Sequence, residues 1–459
     1  MWQRRARQQR AREQTAPPSG AGPQLPASFS RLVMTWAGSL TGDGLRVIAL
    51  PLLAVSVNSS AASVALVAVA TTLPWLLVAI PAGALVDRLD PARVMATAHL
   101  LRAVLSIALV GNVVTGSTTI PLLCLFGFAI TSAETFADGS AQALLVRIVP
   151  HAHLERANAR FVTVETLALD LAGPLAAGVL FLLAPWAPFA VSAACFLIAA
   201  GIVSTISTPP AAESMDPGPS GTAARDAALT DTTLPDTTLT DSAVGTPAAS
   251  AALPGPWARI RAGLAQLVSD PVLRVLVVTV SIMVIANAAT DAVLVLYGTS
   301  TLGMSEAFYP MLLVAYSVGT LIAAVLVGRA DSRLRGGQVM MLALFGIAGT
   351  MFVLGFFPNV VAAVIAYAVM GLAGGTWNVL SATRRQRRTP HAMIGRVSSA
   401  FRVVAWGVIP IGAALGGLVG ERWGIPSVYL LSGTVIAVLG LAVVRSFVST
   451  EPGTVTPRG

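Results

Sequence analysis

Asp43 and Arg46 stand three residues apart in the stretch LTGDGLRVIAL, with apolar residues on both sides. On a helix that spacing puts a carboxylate and a guanidinium on nearly the same face. Further ionisable residues are scattered through apolar runs: Arg102, Glu134, Asp138, Glu165, Asp170 and Asp291. A charge at a bilayer centre costs at least about 2.5 kcal/mol, so such residues are usually kept for function. Loss of water favours the neutral form of a carboxyl group, and a neighbouring guanidinium favours the ionised one. An acid that leaves and rejoins such a partner can exchange protons. Asp43 is the leading candidate, with Arg46 or Arg102 as counter-charge and Glu134 or Asp170 as second choice. The competing reading is a fixed ion pair that positions the helices.

The elements that hold these residues follow from composition. Hydrophobic residues make up 55% of 459 positions and charged ones 11%, where a soluble domain carries about 25% charge. Such a chain cannot cover a water-facing surface, so most of it faces lipid. The net charge of +8 comes from 29 basic residues, all of them Arg. Cys124 and Cys195 lie in apolar runs, which argues against a disulfide framework or a metal site.

Crossing a hydrocarbon core of about 30 Å takes about 20 helical residues. Apolar runs of that order fall near 30–57, 62–85, 94–115, 119–145, 157–183, 185–207, 271–297, 307–328, 338–357, 359–382, 396–420 and 425–447. The expectation is an all-α integral membrane protein of 12 transmembrane helices in two pseudo-symmetric six-helix bundles. Residues 1–29 read as a disordered cytoplasmic extension without a signal-peptide pattern, 30–207 as the first bundle and 257–448 as the second, with 449–459 as a tail. Between the bundles, 208–256 is rich in Pro, Ala, Thr and Asp and reads as a disordered cytoplasmic linker. Just after it, Trp257, Ile260, Leu264 and Leu267 share a helical face, with Arg259 and Arg261 beside them, and predict a short interfacial helix.

An internal repeat supports the two halves. VPHAHLERANARF at 149–161 returns 240 residues later as TPHAMIGRVSSAF at 389–401, with Pro-His-Ala, an Arg and a Phe at matching offsets. Two parallel six-helix halves around a midplane cavity is a transporter architecture. Arginines precede the first span and fill the connections after even-numbered spans, at 88 and 93, 147 and 156, 329 to 335 and 384 to 388. The opposite connections hold almost none, so both termini are expected in the cytoplasm of a bacterial cell, with the chain multi-pass in its plasma membrane.

GALVDRLDPAR at 83–93 resembles the loop between spans two and three of the major facilitator superfamily, and GRADSRLRGG at 328–337 resembles a degraded second copy. The likeness covers about 30–448. GDGLRVIALPLLA at 42–54, LVRIVPHAHLERANA at 145–159 and the glycine-rich run at 389–417 are similar to the branch containing enterobactin-type siderophore exporters and macrolide-efflux proteins. Asp90-Pro91 departs from the pattern, where a Gly or a basic residue is usual. The resemblance implies a gating loop of Gly83, Asp87, Arg88 and Arg93, with Gly328, Asp331 and Arg333 in the second half. Gly83 would let helix ends approach, while Arg88 and Arg93 would pair with acids of neighbouring helices unless they only set topology. LDLAGPLAAG at 169–178 resembles the span-five signature of proton-linked drug antiporters. It implies a helix bend at Gly173, Pro174 and Gly178, and Pro410 plays a similar part in span eleven.

Trp36, Trp75, Phe128, Asn287, Asp291, Tyr316, Trp377, Asn378 and Trp406 are the candidate lining of a substrate cavity. No Walker-type phosphate loop can exist without Lys, no metal-type His pair is present beyond His151 and His153, and TRRQRR at 383–388 better suits lipid headgroups than nucleic acid. The reading is a secondary active transporter and not an enzyme. It needs no cofactor beyond a proton gradient and works as a monomer that exports a drug, macrolide, siderophore or other amphipathic metabolite. The alternatives are an uptake permease and a transport-fold sensor or scaffold.

Overall fold

The computed structural model describes residues 26–86, 88–150, 153–206, 256–329, 336–390 and 393–448. The 208–255 stretch, residues 1–25 and 449–459, and Asp87, Asp331, Arg333, His151 and His391 lie outside the described residues. Everything regular in the described chain is helical.

The first half comprises α1 (Ala27–Val57), α2 (Ala61–Leu77), α3 (Ala79–Val86), α4 (Pro91–Val114), α5 (Ile120–Ile148), α6 (Leu154–Glu165), α7 (Gly173–Leu183) and α8 (Ala187–Ser204). The second comprises α9 (Pro256–Ser269), α10 (Pro271–Ala292), a three-residue α11 (Leu294–Leu296), α12 (Met311–Arg329), α13 (Gly336–Phe356), α14 (Val360–Arg388), α15 (Ile394–Trp406), α16 (Ile409–Trp423) and α17 (Ile425–Val448). Among the described residues ten helical segments are long and apolar enough to cross a membrane, and the shorter Ala61–Leu77 and Met311–Val327 occupy the places of spans two and eight. Leu183, Leu342 and Leu441 stand exposed on the outside, where lipid would meet them.

Several predicted spans are interrupted, each for a local reason. Span two breaks at Val78 between Pro74 and Pro81, each of which lacks a backbone donor. Span five passes through a π-helical segment, Thr166–Ala172, just before Gly173-Pro174 restarts the α-helix. Span eleven breaks at Gly407-Val408, and Pro410 sits in the first turn of the helix that follows. The Asp90-Pro91 departure has a structural role: Asp90 accepts a hydrogen bond from the Ala92 amide at 3.1 Å and caps α4, with Pro91 in its first turn. Asp270-Pro271 opens α10 the same way, with the amides of Val272 and Leu273 at 2.8 and 3.1 Å.

The 240-residue offset seen in the sequence reappears in the helices. Ile120 and Val360 open α5 and α14, Ile148 and Arg388 close them, and Leu154 and Ile394 open α6 and α15. After Pro150 and after Pro390 the chain makes the same turn, with the amide of His153 or Met393 donating to the proline carbonyl at 2.9 or 2.8 Å. One apolar core lies within the first half around Leu32, Trp36 and Phe161, another within the second around Leu344, Tyr367 and Ile436. A third joins the halves, packing Ile48, Leu52 and Phe181 with Val293, Leu296 and Tyr309. The predicted interfacial helix forms as α9, but it buries Leu267 and docks on α15 closely enough that a Cβ at Gly263 would strike the Arg396 carbonyl.

Candidate functional site

The first-half ionisable residues converge. Arg102 of α4 donates through Nη2 to Asp43 Oδ1 and through Nη1 to Ser39 Oγ at 2.9 Å, both on α1. Arg46 donates to Glu134 Oε2 of α5 at 2.6 Å, to Thr131 Oγ1 at 3.3 Å and to Asp43 Oδ1 at 3.4 Å. Glu134 Oε2 is also 3.9 Å from Arg102 Nη2. Two acids and two guanidiniums thus form one closed network across three helices, with no net charge. Asp43, Arg46 and Arg102 are all buried. Such a set is tolerated in an apolar interior because every charge meets an opposite one.

The surroundings supply what the ion pairs leave over. The Arg102 guanidinium lies 3.9 Å from the centre of the Phe196 ring of α8, a cation–π contact. His99, one turn before Arg102, is fully buried, its ring nearly parallel to Phe196 with centroids 6.4 Å apart, and neither ring nitrogen has a hydrogen-bond partner. Asp138, one turn beyond Glu134 on α5, lies within electrostatic range of Arg102 and Asp43. Sequence reasoning missed Ser39, His99, Thr131 and Phe196 as parts of this site. Only His99 carried a signal, its three-residue spacing from Arg102.

Asp170 makes none of these contacts. It sits half-buried in the π-helical segment of span five, turned toward the second half, where Tyr316 of α12 lies within electrostatic range of both Asp170 and Asp291. Glycine brings span five this close to span one: an added Cβ on Gly173 would come within 2.6 Å of the Gly44 Cα, so only hydrogen fits on either side. The predicted bend residues therefore act by contact as much as by bending. Gly178, farther along, faces the backbone of Glu306 and Ala307 in the second half.

A cavity of about 300 Å³ lies between the halves. Asn287, Asp291, Tyr309, Tyr316 and Tyr367 line it from the second half, with Val47, Ile48 and Pro51 opposite on α1. Of the nine predicted lining residues, Asn287, Asp291 and Tyr316 are there. The other six lie elsewhere. Trp36 is buried in the first-half core, stacked on Phe161 with centroids 5.3 Å apart. Trp377 is buried in the second-half core, Phe128 is half-buried, and Trp75, Asn378 and Trp406 are exposed away from this lining. Aromatic side chains at helical spacing are equally suited to core, lipid and ligand, so their identity alone could not choose the face. Tyr309 and Tyr367 were missed for the same reason.

One end of this cavity is closed by contacts between the halves. Glu421 of α16 accepts hydrogen bonds from Ser60 Oγ at 2.8 Å and from the Ala62 amide at 3.2 Å, capping the start of α2. Gly417 lies against Ala61 and Ala65. Tyr309 donates to the Ile48 carbonyl at 3.3 Å.

The gating loop differs from expectation. Gly83 is exposed with nothing within 4 Å of an added Cβ, so no close approach requires glycine in this arrangement. Arg93 is exposed and pairs with Asp90 of its own loop at 3.6 Å, not with a neighbouring helix. Arg88 is exposed as well, and Gly328 falls in the last turns of α12.

Comparison with known proteins agrees with this architecture. Enterobactin exporter EntS of Shigella flexneri is 32% identical over 131 residues, 28% of this chain and 32% of that protein. EntS of Escherichia coli O6:H1 is 31% identical over 116 residues, 25% of this chain and 28% of that one. The chain thus spans about a third of the length of the curated relatives it matches. Among solved structures, the nucleoside transporter NupG superposes with a TM-score of 0.66 at 12% identity, covering 93% of this chain and 100% of that one. A bacterial homologue of the iron transporter ferroportin in an inward-facing state gives 0.66 at 14%, covering 94% and 100%. At such identities the likeness speaks for the fold alone. A family model for the Major Facilitator Superfamily matches residues 33–410 and 301–459, nearly the whole of the described chain. With its two helical halves around a shared cavity, the chain belongs to the Major Facilitator Superfamily.

Proposed function

We propose that this transporter is a proton-coupled exporter of a lipophilic or amphipathic small molecule. It would sit as a monomer in a bacterial plasma membrane with both termini in the cytoplasm. The observation that carries the reading is the cavity between the halves, closed at one end by the Glu421, Gly417 and Gly178 contacts. A site that is sealed on one side and can exchange the seal for one on the other delivers cargo across the bilayer. The arginine placement puts the sealed end outside, so the cavity loads from the cytoplasm or the inner leaflet. Export is further supported by the partial likeness to the enterobactin exporters.

The Asp43–Arg102–Glu134–Arg46 network is the coupling element in this proposal. Glu134 can hold Arg46 only while its carboxylate accepts the 2.6 Å hydrogen bond. A proton delivered to the network frees a guanidinium, and the buried charge left over must be matched by a shift of α1 against α4 and α5. Asp43, which touches both arginines, is the acid whose protonation disturbs most of the network.

The test is efflux of fluorescent lipophilic dyes and macrolides from bacterial cells expressing the chain, with and without a protonophore. Extrusion that stops on adding protonophore is expected, and Asp43→Asn should remove its dependence on external pH. Extrusion indifferent to protonophore rules out proton coupling. Full activity and an unchanged pH profile in Asp43→Asn rule out Asp43 as the proton carrier.

A further inference from the structure

The cavity between the halves has a one-sided electrostatic character. Asp291 projects into it from the last turn of α10. Among the described residues that line the cavity none is basic, and the chain has no Lys to supply from elsewhere. Asp43, Arg46, Arg102 and Glu134 pair with one another in the first half, and none of them lines the cavity. Asp170, the next acid toward this side, adds to the negative potential felt at Tyr316. The neutral groups point to the same sign of ligand. Pro51 has no N–H to offer the Val47 carbonyl one turn earlier, and both residues line the cavity. Tyr309, Tyr316 and Tyr367 supply phenol rings, whose electron-rich faces attract cations within about 6 Å. The remaining wall is apolar, from Val47, Leu294 and Met370.

We infer that the cavity selects a lipophilic monocation, such as an amine-bearing amphipath or quaternary onium ion, with Asp291 as its counter-charge and the tyrosines around its apolar body. This rests on the transporter reading and narrows its cargo. Asp291 stays exposed on the cavity wall, and an uncompensated carboxylate in an apolar cleft raises the local concentration of cations and repels anions. An anionic cargo would meet Asp291 with like charge and find no guanidinium to answer it.

Tetraphenylphosphonium and tetraphenylborate share size and shape and differ in sign, so they isolate this point. Binding of each to the purified full chain in nanodiscs would be measured by titration calorimetry. Saturable phosphonium binding is expected, with the borate at least tenfold weaker. Asp291→Asn should weaken phosphonium binding at least tenfold, while Asp291→Glu keeps it within a few-fold. Absent phosphonium binding, borate binding of equal strength, or an Asp291→Asn affinity within twofold of the parent overturns the assignment. The comparison of the two ions on the unmodified chain stands even if Asp291→Asn does not fold. Phosphonium binding without protonophore-sensitive extrusion of any cargo keeps the cation site and sinks the exporter. Extrusion of a neutral or anionic cargo untouched by Asp291→Asn does the reverse.

Discussion

The two halves share a helix plan at a constant 240-residue offset, yet they have divided their polar chemistry. The first half concentrates charge in its interior and pairs it, with Asp43, Arg46, Arg102 and Glu134 meeting across α1, α4 and α5. The second half holds all five tyrosines of the chain, and two of its buried hydrogen bonds join neutral groups through their phenols. Tyr367 and Tyr429 share a hydrogen bond of 3.0 Å, and Tyr297 donates to the Leu354 carbonyl at 2.8 Å. Paired charges are stable only as a complete set, so they are suited to an element with two discrete arrangements. Phenols keep their hydrogen bonds at any ordinary pH and offer a steady surface to a ligand. In the proposed function, switching falls to the first half and recognition to the second.

The strongest way to break this contrast is Arg102→Met. It removes the cation that touches Asp43 most closely and leaves two buried carboxylates to share Arg46 alone, a loss of about 3–5 kcal/mol. Thermal unfolding in detergent would read it, and adding Asp43→Asn should recover part of the loss. If Arg102→Met unfolds like the parent chain, the network is not a cooperative set.

Gly173→Val comes next. Its side chain has no space against the Gly44 backbone, so α1 and span five must separate, at about 1–3 kcal/mol for overpacking. Because Gly44 adjoins Asp43 on α1, transport should fall further than stability does. Equal losses in both would reduce this contact to packing.

The smallest effect is expected in the second half. Tyr367→Phe deletes one neutral hydrogen bond and should cost about 1 kcal/mol of stability. It should leave tetraphenylphosphonium binding within a few-fold, since the aromatic face that lines the cavity stays. A Tyr367→Phe loss as large as that of Arg102→Met would erase the distinction between the halves.

Much of the site was legible because intramembrane charge is rare. Asp43, Arg46, Arg102 and Glu134 could be picked out one by one from apolar runs, and the structure brings those four together. Asp170, chosen by the same rule, stands apart, since a lone acid in a span carries no mark of which helix it faces. Six of the nine proposed cavity residues lie outside this cavity for a related reason: Trp36 and Trp406 are as apolar as any ligand contact, and one packs on Phe161 while the other is exposed. Gly83 illustrates the limit of a motif, because its loop resembles a gating element while nothing approaches it in this arrangement.

By itself the sequence determined the solvent, the number of crossings and the doubling. Those properties are written locally, in the length of apolar runs set by bilayer thickness and in residues repeated along one covalent chain. Capping was local too, with Asp90-Pro91 and Asp270-Pro271 opening helices through amides two or three residues away. Only the tertiary structure decided which charges pair, which acid is left facing the cavity and which glycines touch. Asp43 is 59 residues from Arg102 and Arg46 is 88 from Glu134, and they meet because three helices pack side by side. Among the described residues no arginine pairs with Asp291, a fact of arrangement that no local pattern encodes.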